Sequence, residues 1–195
     1  MTDVTSPPGP SRRTPASPES HPRLPADPIA CAELLFFAYR DFTGDPDAVL
    51  EQYGFGRAHH RVLHFVNRNP GLRVANLLDI LKITKQSLAR VLKQLIEQGF
   101  IVQRAGDEDR RERLLTVTAK GARLAEKLAA LQVRRIEAAL STAGPGADEA
   151  ARRFLFAMIA EADRPRVEAL IKASTTRSGE TRGGRDDAAD GRSTR

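Results

Sequence analysis

The stretch FIVQRAGDEDRRERLLTVT, residues 100–118, contains two short apolar runs with a highly charged run between them. FIVQR and LLTVT are rich in apolar and β-branched residues and are each about five residues long, which favours β-strands. AGDEDRRER, residues 105–113, joins them and carries four acids together with Arg110, Arg111 and Arg113. The pattern predicts a β-hairpin whose tip is either a solvated turn or a contact for a negatively charged partner.

The residues just before this hairpin have helical periodicity. In KQSLARVLKQLIEQG, residues 85–99, apolar side chains recur at i, i+3, i+4, i+7 and i+8, namely Leu88, Val91, Leu92, Leu95 and Ile96. Thr84 is suited to cap this helix at its start, and Gly99 is suited to end it. Thr118 is suited to cap the long helix that follows the hairpin. A shorter helix, VANLLDILK, precedes it. Residues 57–118 are therefore predicted to form a helix-turn-helix followed by a β-hairpin, which is a winged helix.

The polar face of the second helix is one candidate binding surface. The residues on or beside it that we select are Lys85, Gln86, Ser87, Arg90 and Lys93. On a recognition helix the first three would reach base edges and Arg90 would lie deeper in the major groove, since glutamine pairs with adenine and arginine with guanine. The alternative is an ordinary solvated helix face.

The hairpin tip is the other candidate surface. Arginines at such a tip can enter a narrow minor groove, where negative potential is concentrated. We assign this role to Arg111, contacts with backbone phosphates to Arg110 and Arg113, and the anchoring of these arginines to Asp109. The acids around them argue against a simple phosphate-binding patch.

The distribution of charge supports a polyanionic partner. The chain has a net charge of +6, and residues 57–123 alone hold fourteen Lys and Arg against six acids. A confined basic segment is typical of a nucleic-acid surface. One cysteine, Cys31, permits no intrachain disulfide and fits a reducing cytosol. No apolar run is long enough for a bilayer and no secretory signal is visible, so we predict a cytoplasmic protein.

Composition divides the chain into three parts. Residues 1–28 carry eight of the twelve prolines and are predicted to be a disordered arm. Residues 174–195 have no aliphatic side chain larger than alanine and are predicted to be a disordered tail. Between them, 29–173 is the predicted folded domain, in which helices at 29–56 and 119–173 flank the winged helix. These helices carry more apolar surface than so small a unit can bury, which predicts a partner surface.

Breaker residues set the expected ends of the flanking helices. Gly44 and Pro46 are expected to end the first helix near residue 43. Pro165 is expected to kink or split the last one.

Histidine and cysteine residues suggest further sites. His60 and His64 have an i, i+4 spacing that can bind zinc, but no cysteine or acid nearby completes a tetrahedral site, so we predict core or interface histidines and no metal. Cys31 is expected to be a buried structural residue, with redox sensing as the alternative. No phosphate loop or catalytic triad pattern is present, so we predict neither an enzyme nor a cofactor.

Two segments, VANLLDILKITKQSLARVLKQLIEQGFI and DRRERLLTVTAKG, resemble the winged helix of the MarR family of transcriptional regulators. The second is close to the family's pattern of Asp-Arg-Arg, a strand, and Leu/Val-Thr-x-x-Gly. The resemblance extends over about 29–172, because the flanking helices have the family's order. One departure is GDED, where many members have a proline in the turn.

The resemblance implies a mainly α fold with a small β-hairpin wing, in a homodimer whose helices 29–43, 119–142 and 147–172 interlock. It implies that two wings flank a pseudo-palindromic operator in double-stranded DNA. The residues that match family positions in the recognition helix and the wing are Ser87, Arg90, Asp109 and Arg111. It also implies an effector pocket for a small molecule, which we expect near Phe36, Tyr39, His60 and His64.

The sequence therefore predicts a homodimeric, sequence-specific DNA-binding regulator, namely a repressor that is released by a small ligand or another signal. A second hypothesis is a winged helix that binds proteins, or that binds nucleic acid without specificity. A third hypothesis is a thiol-based redox sensor acting through Cys31, because organic-peroxide sensors of the family use a cysteine in the first helix.

Overall fold

The computed structural model describes residues 27–106 and 109–186, with side chains described as far as residue 176. The helices are α1 (Pro28–Glu51), α2 (Arg57–Arg68), α3 (Val74–Leu81), α4 (Lys85–Glu97), α5 (Ala119–Ala143), α6 (Ala147–Ala157) and α7 (Arg164–Asp186), with a 3-10 turn at Glu161–Asp163. The strands are β1 (Leu72–Arg73), β2 (Ile101–Ala105) and β3 (Arg113–Val117). All but the last two residues of the predicted arm 1–28, and residues 187–195 of the predicted tail, lie outside the described residues.

The strands form one antiparallel sheet in the order β1-β3-β2. The hairpin register runs from Ile101 opposite Val117 to Ala105 opposite Arg113. On its other edge β3 pairs with β1, Leu72 lying opposite Leu115. The predicted mainly α fold with a β-hairpin wing is confirmed. The strand β1 was not predicted, because two residues are too few to show an alternating pattern.

The winged helix has one core, into which α2, α3, α4, α5 and the sheet each place apolar side chains. Fully or almost fully buried members from these elements include Leu63, Leu77, Leu95, Leu115 and Leu128. At the start of the hairpin the Phe100 ring makes edge-to-face contacts with Tyr53 and Phe55, with centroids 5.4 and 5.2 Å away. Burial of these side chains is the main stabilising contribution to the unit that carries α4 and the wing.

The predicted helix ends around the wing are confirmed. The Thr84 hydroxyl accepts a hydrogen bond from the Ser87 amide at 3.1 Å and so caps α4. Gly99 has φ of 73°, the left-handed conformation expected just after a helix. The Thr118 hydroxyl accepts from the Gly121 amide at 3.1 Å and donates to the Gly99 carbonyl at 2.7 Å. This one side chain therefore joins the start of α5 to the end of α4.

The helix α1 does not end near residue 43 as predicted, but continues through Gly44 and Pro46 to Glu51. Three residues at helical spacing, Thr43, Pro46 and Leu50, are buried along this part of α1. Leu50 belongs to the main core. The burial of this stripe outweighs the local preference of glycine and proline to end a helix.

The C-terminal helices differ from the predicted boundaries in one respect. The split expected at Pro165 is confirmed, since α6 ends at Ala157 and α7 begins at Arg164. However, α7 continues past residue 173. Its polar residues bond within the helix: the hydroxyls of Ser174 and Thr175 donate to the carbonyls of Leu170 and Ile171, four residues earlier. Small polar side chains therefore do not end the helix where composition predicted a tail.

The chain divides into two compact units, one that ends at Ala38 and one that begins at Tyr39. In the first unit most side chains of α1 are exposed, among them Cys31. The prediction of a buried structural cysteine is therefore wrong for the single chain, because apolar residues on most faces of this part of α1 do not bury it there. Among the described residues, no helix is both long and apolar enough to cross a membrane.

Candidate nucleic-acid interface

The polar face of α4 presents all the side chains that the sequence selected on this helix. Lys85, Gln86, Ser87, Arg90 and Lys93 are exposed. The Thr84 cap also orients one of them, because its hydroxyl donates to Ser87 Oγ at 2.9 Å. Near the far end of the helix, Lys93 pairs with Glu97 at 3.8 Å. The positive charge available to a polyanion is therefore greatest toward the N-terminal half of α4.

A buried histidine of α2, His59, is hydrogen-bonded to α4. His59 Nδ1 accepts the Gly56 amide hydrogen at 3.1 Å, so that Nε2 carries the proton and donates to Gln94 Oε1 at 2.6 Å. The His59 ring also stacks on Phe55, with centroids 4.6 Å apart. No role was predicted for His59 from the sequence, because its partner Gln94 is thirty-five positions away.

The tip of the wing is closed by main-chain hydrogen bonds. The Gly106 amide donates to the Glu112 carbonyl at 3.1 Å, and the Glu112 amide donates to the Asp109 carbonyl at 3.0 Å. Asp109 Oδ1 accepts from the Arg111 amide at 2.8 Å, so this carboxylate contacts Arg111 through the main chain. Arg110, Arg111 and Arg113 are exposed. The acids at 107 and 108, which the sequence also placed in the tip, lie outside the described residues.

A groove of about 740 Å³ lies between α4 and the wing. Its lining includes Lys85 and Lys93 from α4 and Arg111 and Arg113 from the wing. Four of the residues that were selected from the sequence therefore line one groove. The other selected residues are not among its lining residues, namely Gln86, Ser87, Arg90, Asp109 and Arg110. Its other charged lining residues, which the sequence did not select, are Arg73 and Glu112. They form an ion pair, Arg73 Nη1 to Glu112 Oε1, of 2.8 Å.

The residues of the expected effector pocket do not line this groove. His60 and His64 lie on α2, where burial lowers the pKa of both imidazoles. For His64 burial, with smaller contributions from His60 and Arg68, lowers the pKa to about 4. Tyr39 is half exposed, and the Arg57 guanidinium lies 5.6 Å from the centre of its ring. Phe36 belongs to the first compact unit and is 72% exposed.

The described residues contain no group of three or more His, Cys, Asp and Glu side chains that could hold a metal ion. In particular, His60 and His64 have no such third ligand within the part of the chain that the structure describes. Both imidazoles are neutral at pH 7, since their pKa values are lowered.

A helix-turn-helix followed by a three-stranded sheet with an arginine-bearing tip defines a winged-helix protein of the DNA-binding class. A sequence profile of the MarR family matches residues 53–112. The HTH-type transcriptional regulator PetP of Rhodobacter capsulatus is 49% identical over 141 residues, which cover 72% of this chain and 85% of PetP. The chain thus belongs to the MarR family of helix-turn-helix transcriptional regulators.

Solved structures of this family share the fold. The transcriptional regulator SlyA matches with a TM-score of 0.56 at 17% identity, covering 75% of this chain and 98% of SlyA. The crystal structure of MarR matches with a TM-score of 0.52 at 21% identity, covering 75% of this chain and 99% of MarR. A complex of Staphylococcus aureus MepR with DNA matches with a TM-score of 0.53 at 18% identity, covering 65% of this chain and 94% of MepR. At these identities the matches establish the fold.

Proposed function

We propose that the chain is a homodimeric repressor that binds operator DNA with sequence specificity and is released by a small ligand or another signal. The observation that carries the DNA-binding part is the shared groove, which is lined by Lys85 and Lys93 of α4 and by Arg111 and Arg113 of the wing. One duplex can meet both surfaces, α4 in its major groove and the wing in the adjacent minor groove. MepR, which has this fold, has been solved bound to DNA.

Each residue of the interface has a proposed role. Lys85, Gln86 and Ser87 reach base edges or the neighbouring phosphate from the start of α4, and Arg90 reads bases deeper in the major groove. Lys93 contributes charge beside the groove. In the wing, Arg111 enters the minor groove while Arg110 and Arg113 contact phosphates, and Asp109 fixes the turn that presents Arg111.

Exposed apolar side chains support the homodimer. In the first compact unit, Ile29, Leu34 and Phe36 of α1 are 69, 47 and 72% exposed. In the second unit, Phe154 and Leu155 of α6 and Met158, the residue after this helix, are 48, 55 and 54% exposed. Large apolar side chains exposed in such numbers are typical of a surface that a partner covers. A second copy of the chain is the partner that would also supply a second winged helix to a two-fold symmetric operator.

Release by a ligand is the proposed means of regulation. A solved relative by fold, BpsR of Bordetella bronchiseptica, is described as regulated in its DNA binding by 6-hydroxynicotinic acid. For this chain the proposed effector site is the neighbourhood of Tyr39, His60 and His64. Because His60 and His64 are neutral at pH 7, an effector there would meet uncharged imidazoles.

A gel-shift assay against the gene's own upstream region, with excess unrelated competitor DNA, tests the function. We expect a complex that survives the competitor and that contains two chains per operator. Binding without preference for any fragment would instead support the non-specific or protein-binding alternative. The variant Arg90→Ala is expected to relax discrimination between operator variants, whereas uniform weakening across all sequences would make Arg90 a phosphate contact.

A further inference from the structure

The groove between α4 and the wing is strongly basic but not uniformly so. Five of its lining residues are cationic, namely Arg73, Lys85, Lys93, Arg111 and Arg113. Among the described lining residues the one acid is Glu112, which lies between two arginines in the sequence. A carboxylate on a surface meant for phosphates reduces affinity. Its presence therefore calls for a physical explanation.

Glu112 is held in a defined position. Its amide and carbonyl close the tip of the wing through Asp109 and Gly106. Its side chain is 29% exposed and forms the 2.8 Å ion pair with Arg73. The Glu112 carboxylate thus occupies the place at the Arg73 guanidinium where a DNA phosphate would otherwise bind, since carboxylate and phosphate oxygens make the same paired contacts with arginine.

Arg73 is well placed for a phosphate. It is the last residue of β1 and the N-cap residue of α3, the first helix of the helix-turn-helix. Its side chain is 54% exposed and lines the groove that Lys85 and Lys93 also line. Helix-turn-helix proteins use the first helix to cross the DNA backbone. In the free chain this cation is paired within the protein.

The ion pair is not needed to hold the wing. An exposed pair of this kind changes a folding equilibrium by about fivefold at most. The wing is already fixed by five paired positions between β2 and β3 and by the pairing of β3 with Leu72 and Arg73. The main effect of Glu112 is therefore on the charge that the groove presents to DNA.

We propose that Glu112 limits the affinity of the winged helix for DNA by competing with a phosphate for Arg73. Only a duplex that seats α4 and the wing together brings a phosphate close enough to displace Glu112 from Arg73, and the free energy of the ion pair is then lost from binding. On other duplexes the pair stays closed and one phosphate contact is missing. This inference rests on the proposed operator binding and adds a residue that acts by weakening it.

The test compares Glu112→Gln with the wild type on the operator fragment and on a scrambled duplex, by fluorescence anisotropy over a range of salt concentrations. We expect operator affinity to rise by up to about fivefold, because in Glu112→Gln no exposed ion pair has to be broken on binding. The operator salt slope should stay unchanged, because Arg73 already contacts a phosphate there. Affinity for the scrambled duplex should rise less, so the operator-to-scrambled ratio should increase.

Two further variants separate this mechanism from simpler ones. In Arg73→Gln/Glu112→Gln the gain on the operator should disappear, since the gain acts through Arg73. Glu149→Gln is the matched control, because it removes a glutamate that pairs with an arginine on α6, away from the groove lining. It should leave both affinities within about twofold of the wild type, a limit set by the screening of exposed charges.

Three results would overturn the inference. They are weaker binding of Glu112→Gln to both duplexes, a gain that persists in the double variant, and an equal gain in Glu149→Gln. The first would make Glu112 only a support of the wing, and the others would make its effect a general one of net charge. A wild type without operator preference would refute the proposed function itself, and the inference with it.

Discussion

Asp109 shows how a single residue prepares the wing without touching the partner. Its carboxylate accepts the Arg111 amide hydrogen and thereby fixes the turn from which the Arg111 side chain projects. The arginine itself is free to reach outward, because the anchor uses its main chain. Asp109 was predicted to anchor the arginines of the tip, and in the structure its carboxylate contacts one of them, Arg111, through the main-chain amide.

The substitution Arg111→Ala should weaken operator binding by about 1–3 kcal/mol, the usual cost of losing a good readout contact. The melting temperature should stay nearly unchanged, because the side chain is exposed. Anisotropy titrations and thermal unfolding measure the two effects. The control is Arg153→Ala on α6, where the side chain is 79% exposed. This variant should change neither the operator affinity nor the melting temperature. An affinity change below about twofold for Arg111→Ala would remove it from the minor groove.

His64 should make stability depend on pH. The pKa of His64 is lowered from 6.5 to about 4 by burial, so between these pH values the unfolded chain binds a proton that the folded chain does not. The free energy of unfolding should therefore be fully retained above pH 6.5 and fall as the pH drops toward 4. The expected size is on the order of 3 kcal/mol.

Urea unfolding at several pH values between 7 and 4 checks this expectation. In His64→Gln the dependence on pH should be shallower than in the wild type. It should not vanish, because burial also lowers the pKa of His60. Equal slopes in the two proteins would show that His64 does not carry the effect. Arg68→Gln, which retains His64, serves as the control and should keep most of the dependence.

At the scale of elements, the junction of β3 and α5 is the most constrained part of the winged helix. A methyl group added at Gly121 would overlap the Phe100 carbonyl oxygen and crowd Val117. The glycine in the motif Thr-x-x-Gly is thus required by the close approach of the first turn of α5 to the strand β2. Thr118 caps the same turn.

The variant Gly121→Ala should lower the free energy of unfolding by about 1–3 kcal/mol or more, the usual range for overpacking a rigid contact. Gly44→Ala is the matched control, since that glycine lies inside α1 with no other atom within 4 Å of the added methyl group. There alanine should stabilise by up to about 1 kcal/mol through its higher helix propensity. Denaturant unfolding gives both values. Equal changes in the free energy of unfolding for the two variants, or no loss at Gly121, would refute the steric account.

Elements whose signals are local were predictable from the sequence. The caps at Thr84 and Thr118 and the end at Gly99 depend on residues within a few positions, and they are confirmed. The continuation of α1 through Pro46 was not predictable, because it depends on the burial of Leu50 in a core built by distant segments. The same holds for the pair of Arg73 and Glu112, which only the sheet register brings together.

At the scale of the whole molecule, the single chain leaves large apolar side chains exposed to solvent, which folding of that chain does not explain. The sequence predicted a partner from helices too apolar for the winged helix to bury. The structure leaves large apolar side chains of α1 and α6 exposed, which is consistent with that prediction. A homodimer would cover this surface and would also double the basic interface.

The substitution Leu155→Glu should therefore shift the protein from dimer to monomer, because a buried unpaired carboxylate strongly disfavours an apolar interface. Operator binding should fall by at least about tenfold, since each half-site would then be met by an independent winged helix. Size-exclusion chromatography with light scattering measures the mass. Arg153→Glu, an exposed position on the same helix, should remain dimeric. A dimer that survives Leu155→Glu would exclude this part of α6 from the interface.

The central position of β3 in the sheet limits how the protein can dissociate from DNA. β3 is hydrogen-bonded to β1, which precedes α3, and to β2, which follows α4. The hairpin cannot move away from α4 without breaking the hydrogen bonds of one of these two strand pairs. If α4 and the wing contact DNA as proposed, the spacing of these two contacts is fixed, and the duplex would have to adopt the geometry that matches it. In the proposed dimer, a signal that ends binding would then reorient each winged helix as a rigid unit and change the span between the two halves.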